Sequence, residues 1–404
     1  MSRPTNTAVA RRELLARLFP SGVPALWCPL ITHYAPDGAI DAPRMRAHLK
    51  HLSSWIKGFL IPGSTGDGWE LNDEETRRLL GIALEQVAAL NLNLLIGVLK
   101  ASADEVERTM LDSADWIEAR LANRTSERTP EIPGASSGSA PAHSSSGPSL
   151  GLSDGEKVAG RNGGGLADSL PGKAGEGEFL SSLIQSRVSG FTVCPPRGKE
   201  LSQEKIGEAL VSILRRGLPT ALYQLPQITL NEMHPELVTA LAREFPNFIL
   251  FKDTSGADHV ALSGQKLENV FLVRGAEGDY ARWLRAAKGP YDGFLLSTAN
   301  CFGLQFHQLV EDLGARRLKE AQELSERLTA CINEVFGIVS GLPQGNPFAN
   351  ANKAMDHFFA YGPTAQGAPP PRLHSGTCLS EEVIRGIGEA LSRHGLMPEI
   401  GYLE

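Results

Sequence analysis

Residues 247–256 read NFILFKDTSG, an apolar run, Phe248 to Phe251, that ends in Lys252 and then in turn residues. A short apolar run bounded in this way predicts a buried strand. An ammonium at the end of such a strand is costly to bury, so desolvation lowers its pKa and leaves free amine, the form an imine-forming nucleophile needs. The plain alternative is a surface lysine opening a loop. Two other stretches can serve the same chemistry. The run Pro219 to Leu225, which reads as the neighbouring strand, carries Tyr223, where a phenol can reach the amine and shuttle protons during imine formation. Gly63-Ser64-Thr65-Gly66 follows the run Lys57 to Pro62 and offers two hydroxyls and backbone amides, a cradle for a carboxylate. Taken singly, a tight turn explains the second and a core aromatic with a wet tip the first. Lys100 is a rival nucleophile, but it follows a looser strand end without a matching tyrosine.

Eight short apolar runs alternate with amphipathic stretches along the chain, starting at Pro24, Lys57, Leu92, Ser189, Pro219, Asn247, Asn269 and Tyr291. Helical spacing falls between them at Ile40 to Ile56, Asp73 to Ala89, Ala103 to about Arg120, Gln203 to Arg216, Leu230 to Glu244, His259 to Leu267 and Asp279 to Ala287. Phe179 to Arg187 reads as the tail of an interrupted helix. This alternation predicts a parallel sheet with right-handed crossovers, and eight units predict a closed (β/α)8 TIM barrel. The alternative, an open doubly wound sheet, lacks a GxGxxG after the first run. The chain divides into an N-terminal segment (1–20), a barrel (21–304) and a C-terminal helical extension (305–404) with helices at Gln305 to Ile338, Ala351 to Tyr361 and Ser380 to His394. Residues 123–178 are dominated by Gly, Ser, Pro and Ala and too poor in large apolar residues for a core. They predict a disordered insert between helix 3 and strand 4, at the barrel end away from a site. A glycine-rich phosphate loop at Gly160 to Gly165 is disfavoured, since no strand precedes it.

Composition narrows the function classes. A net charge of −7 with no basic run argues against nucleic acid, and no apolar stretch is long enough to span a membrane. Arg11, Arg12 and Arg17 lie in an N-terminus without a signal-peptide core, which reads as a short amphipathic helix or a transit peptide. Five scattered cysteines form no CxxC pair and suit a reducing, cytoplasmic setting. No HExxH or other metal-ligand spacing occurs, so no metal is expected. Barrel sites form at the C-terminal strand ends. Those ends supply Thr32, Ser64 and Thr65, Lys100, Cys194 and Arg197, Tyr223, Lys252, Glu277, then Ser297, Thr298 and Asn300.

In that order, GSTGDGWELNDEE, ALYQLP and FKDTSG resemble the three signatures of the dihydrodipicolinate synthase / N-acetylneuraminate lyase family, across about Gly22 to Gly303 apart from the insert. The resemblance implies a class I aldolase-type lyase. Lys252 would form the imine with pyruvate or a related 2-oxo acid, Tyr223 would relay protons, and Gly63, Ser64, Thr65 and Gly66 would hold the carboxylate. The second substrate would be an aldehyde or sugar acid. It implies no cofactor, and a homo-oligomer, dimer or tetramer.

The departures from the family also carry weight. Pro195-Pro196-Arg197 stands where a Pro-Tyr-Tyr often supplies a tyrosine across a dimer interface. Ile228 stands where the lysine-biosynthetic members have an arginine, which argues against 4-hydroxy-tetrahydrodipicolinate synthase. Asp67 shortens the usual glutamate. Glu277 could bind a sugar hydroxyl or be a solvated loop carboxylate, and Ser297 could line the same end. A barrel that has lost its chemistry and serves as a ligand-binding or regulatory protein is the reading from another class.

Overall fold

The computed structural model describes residues 5–127 and 173–404, with side chains described for 5–123 and 179–404. The expected insert falls largely in 128–172, outside the described residues. Eight parallel strands close into a barrel in sequence order. They are β1 (Leu26–Pro29), β2 (Gly58–Ile61), β3 (Asn93–Val98), β4 (Val188–Val193), β5 (Thr220–Gln224), β6 (Phe248–Asp253), β7 (Phe271–Arg274) and β8 (Gly293–Leu295). Each falls inside or against its expected run, because each is buried on both faces and so reads as continuous apolar sequence.

The period of two along each strand sorts its residues. Outward side chains such as Leu222 and Phe251 pack under the surrounding helices in the main core, while Leu60, Leu95, Ala221, Leu250, Val273 and Leu295 fill the barrel interior. Leu18 and Phe19, at the end of the N-terminal helix Asn6–Leu18, join that interior cluster and close the base. Arg11 of the same helix is buried and donates to the carbonyls of Phe248 (2.6 Å), Phe245 (2.7 Å), Ala242 and Glu268. It thereby ties the plug to the start of β6. One step further up, the interior positions of β5 and β6 become Tyr223 and Lys252, register partners on adjacent strands.

Several helices differ from the expectation. The stretch expected as Asp279 to Ala287 is two 3₁₀ turns, Tyr280–Arg282 and Arg285–Ala287, framed by Asp279 and Lys288 in left-handed conformation (φ 52° and 65°). Leu230, also left-handed (φ 63°), ends a short turn, Pro226–Thr229, and the following helix starts only at Pro235. The helix ahead of the insert runs to Glu127, and the one after it begins at Lys173. Gln305 to Ile338 is two helices, Ala299–Gly314 and Leu318–Val339, parted at left-handed Arg316. The first packs on β1 beside β8, as the last barrel helix does in this architecture. The chain ends with helices Pro347–Tyr361 and Glu381–Arg393, and among the described residues no helix is long and apolar enough to cross a membrane.

Candidate active site

β6 delivers Lys252 to the barrel mouth with 3% of its surface exposed. Its Nζ lies 3.8 Å from the centroid of the Tyr223 ring. The amine thus rests on the face of the ring rather than at the phenol oxygen, which differs from the direct amine–phenol contact expected for neighbouring strands. Burial lowers the Lys252 pKa to about 7, against the opposing pull of Cys194, Glu277 and Cys28. Gly275 at the end of β7 makes the room, since a Cβ there would lie 2.9 Å from Lys252 Cε and 2.4 Å from Thr254 Oγ1.

Tyr223 is buried, and that burial, with the Cys194 thiol beside it, pushes its phenol up. The hydroxyls of Thr254 and Ser64 act the other way. Leu99, Cys194, Tyr223 and Leu225 form a small apolar cluster with Trp69 and Ile228 against it.

The loop after β2 is one 3₁₀ turn, Ser64–Gly66, with all three residues buried. Gly66 must be glycine, because a Cβ would sit 2.2 Å from the Leu30 carbonyl oxygen. Thr32 donates to the Gly66 carbonyl (2.7 Å), Trp69 Nε1 to Ser64 Oγ (2.9 Å) and Asn346 to the Ser64 carbonyl (3.1 Å). Asp67, left-handed at φ 60°, accepts from Tyr34 (3.0 Å) and from the Lys353 ammonium (2.6 Å). Both members of that ion pair are buried. The short Asp67 side chain is therefore met by a lysine reaching in from helix Pro347–Tyr361.

The half-buried Glu277 carboxylate is engaged by its own strand ends. Its two oxygens accept from Ser297 Oγ (2.6 Å), Thr298 Oγ1 (2.8 Å), Thr298 N (3.1 Å) and the Tyr280 hydroxyl (2.9 Å). Ser297 is spent on this bond, so the pair shapes the β7 and β8 ends and sets a negative charge near Lys252. Asn300 likewise holds the backbone at Pro29, Ile31 and Ser297. Arg197 is exposed, its backbone tied to Ala101, and is not brought together with Lys252. Lys100 pairs with Asp73 at 3.3 Å on a part-exposed edge.

Residues missed in the sequence complete the site. Thr254 has a buried hydroxyl beside the Tyr223 phenol, although it stands inside FKDTSG, where it reads as a turn residue. Tyr34 and Lys353 hold Asp67, next to the Ser64–Gly66 turn, from distant positions. Among the described residues His33, His48 and Asp356 present ligand-type atoms within 4.8 Å of one another. Arg44 already sits 2.8 Å from the Asp356 carboxylate, and His33 Nε2 lies 3.1 Å from His48 Nδ1. A metal ion there would face the guanidinium, so the donor set suits a hydrogen-bond chain better than a cation.

Residues 186–344 match the Dihydrodipicolinate synthetase family. The family resemblance holds. A 4-hydroxy-tetrahydrodipicolinate synthase from Streptococcus uberis is 25% identical over 158 residues, 39% of this chain. The match spans 50% of that relative, about half its length. Among solved structures, a prophage protein of the dihydrodipicolinic acid synthase family from E. coli K12, in complex with pyruvate, aligns with TM-score 0.62 and 17% identity over 92% of this chain and 99% of its own. A variant of Sulfolobus solfataricus 2-keto-3-deoxygluconate aldolase aligns with TM-score 0.62 and 15% identity over 92% of this chain and 96% of its own. At these identities the likeness is one of fold.

Proposed function

We propose that the chain is a Schiff-base-forming lyase acting on pyruvate or a related 2-oxo acid. The observation that carries this is the buried Lys252 amine, held near pKa 7 on the face of Tyr223 with the Ser64–Gly66 turn beside it. A barrel that only binds ligands has no need of a desolvated amine, and this disfavours the inactive-barrel reading.

In this reading Ser64, Thr65 and the loop amides hold the 2-oxo acid carboxylate. The free amine adds to the C2 carbonyl, and the carbinolamine loses water to give a protonated imine. That nitrogen accepts the electron pair when the bond beyond C3 breaks, leaving an enamine and an aldehyde. Protonation at C3 and hydrolysis return the amine and the 2-oxo acid, and condensation is the reverse. Tyr223 gives and takes the protons on the carbinolamine and aldehyde oxygens, with Ser64 and Thr254 as its neighbours. Each step uses side chains of this chain.

The second substrate is an aldehyde or a sugar acid. Ile228 packs in the apolar cluster beside Tyr223, so that wall supplies no cation for a second carboxylate. This disfavours the synthase activity named for the Streptococcus relative. The test is borohydride trapping: incubate with pyruvate, reduce, digest and sequence the modified peptide by mass spectrometry. The expected result is a reduced pyruvate adduct on Lys252. A folded sample that forms no adduct with pyruvate or with longer 2-oxo acids would sink the lyase reading and promote the ligand-binding one.

A further inference from the structure

A cavity of ≈ 270 Å³ lies between the loop after β1 and the C-terminal region. Tyr34, Arg44, Lys353, Tyr361 and Arg372 line it, with the prolines 369–371. Its carboxylates are engaged. Asp356 is held by Arg44 (2.8 Å), His48 (3.2 Å) and the Tyr402 hydroxyl (3.1 Å), and Asp41 caps the amide of Arg44 (3.0 Å).

The donors are in excess. The Lys353 ammonium has three N–H groups and, among the described residues, one hydrogen-bond acceptor, Asp67. Arg44 spends Nε on Tyr402 and Nη2 on Asp356, stacks 5.0 Å from the Tyr361 ring centroid, and leaves Nη1 without an acceptor among the described residues. Arg372 donates to Gly376 from Nη1 alone. These donors line the cavity with hydrogen-bonding capacity to spare, which a ligand that brings oxygen acceptors can take up.

We propose that this cavity binds a small oxyanion, the carboxylate or phosphate group of a small molecule, and that its occupancy loosens the 2-oxo acid cradle. The link is direct. Lys353 and Tyr34 line the cavity and are also the two donors that hold Asp67, next to Ser64–Gly66. An oxyanion that engages the Lys353 ammonium competes with Asp67 for it, so anion and substrate carboxylate weaken each other's binding reciprocally. The coupling rests on the proposed imine chemistry, but anion binding at the cavity does not.

The test uses the full chain, with inorganic phosphate and malonate as separate probes in titration calorimetry. One saturable site for one of the two is expected, and the probe that binds identifies the group recognised. Arg372→Glu should weaken it about tenfold, and Arg372→Lys should retain most of it. In the trapping assay the bound anion should raise the half-saturating pyruvate concentration about fivefold or more, and Arg372→Glu should remove that effect. Lys252→Arg, which cannot form the imine, should bind the anion normally. If wild type bound an anion but formed no pyruvate adduct, the lyase reading would fall and the cavity would stand. Absence of binding by both probes, binding indifferent to Arg372→Glu, or binding lost in Lys252→Arg would overturn the proposal, the last by locating the anion at the catalytic lysine.

Discussion

Replacing Lys252 by Met should change how stability depends on pH, with no knowledge of the substrate required. In the folded chain burial holds the amine at about 7, against an ordinary value of 10.5. The unfolded chain therefore binds more protons at this residue between those two pH values. Stability rises with pH wherever the unfolded state binds more protons. The lysine thus costs most below pH 7, where the folded protein must bury an ammonium, and that cost fades as pH climbs towards 10.5. The full difference corresponds to about 5 kcal/mol at 1.36 kcal/mol per pH unit. Over the accessible window from about pH 7 to pH 9.5, half-protonation at the lower limit reduces it to about 3 kcal/mol.

Urea denaturation of wild type and Lys252→Met at both pH values measures it. The variant should exceed wild type in stability at pH 7, and that advantage should shrink by about 3 kcal/mol by pH 9.5. Taking the difference between the two proteins cancels other titrating groups, buried Lys353 among them. The same amine sets the trapping rate with pyruvate at subsaturating concentration, which should rise about tenfold per pH unit below 7 and level off above it. A stability gap that stays constant with pH, or a trapping rate that keeps climbing to pH 10, would refute a desolvated Lys252.

Gly275→Ala places a methyl 2.9 Å from Lys252 Cε and 2.4 Å from Thr254 Oγ1, so adduct formation should drop about 100-fold and stability should fall by about 1 to 3 kcal/mol, as read by trapping and circular dichroism at a temperature where the variant is folded. Asp67→Asn leaves the Lys353 ammonium without its carboxylate and should cost about 3 to 5 kcal/mol in urea unfolding. Adding Lys353→Met should recover most of that stability but not the affinity for pyruvate. Arg11→Met strips buried donors from the carbonyls of Phe248, Phe245, Ala242 and Glu268 and should lower stability by about 3 kcal/mol or more, with imine formation unchanged at temperatures where the variant is folded.

What could be read from the sequence follows from what was local. The barrel strands were legible because burial on both faces leaves an unbroken apolar run. Tyr223 and Lys252 could be placed together because consecutive parallel strands put their ends side by side. The 3₁₀ turns after Glu277 were not legible, because Asp279 and Lys288 in left-handed conformation interrupt a stretch whose side chains suit a helix. Glu277 itself looked free because two of its three donor residues, Ser297 and Thr298, belong to the next strand end, and spacing does not report a bond between loops.

The same reasoning explains why the extension must be counted with the site. The Ser64–Gly66 turn is buried, but the carboxylate next to it, Asp67, has its cationic partner 286 residues away on helix Pro347–Tyr361. Asn346, which caps that helix, donates to the Ser64 carbonyl, so the helix grips the loop at two points. A barrel strand fixes Lys252 through its ladder and needs no outside help. A loop of three residues has no ladder, and its geometry is set by whatever satisfies its polar groups. In the proposed chemistry the nucleophile is thus an attribute of the barrel and the carboxylate cradle an attribute of the extension. Substitutions in helix Pro347–Tyr361 should accordingly alter the half-saturating 2-oxo acid concentration while leaving the pKa of Lys252 where the barrel sets it.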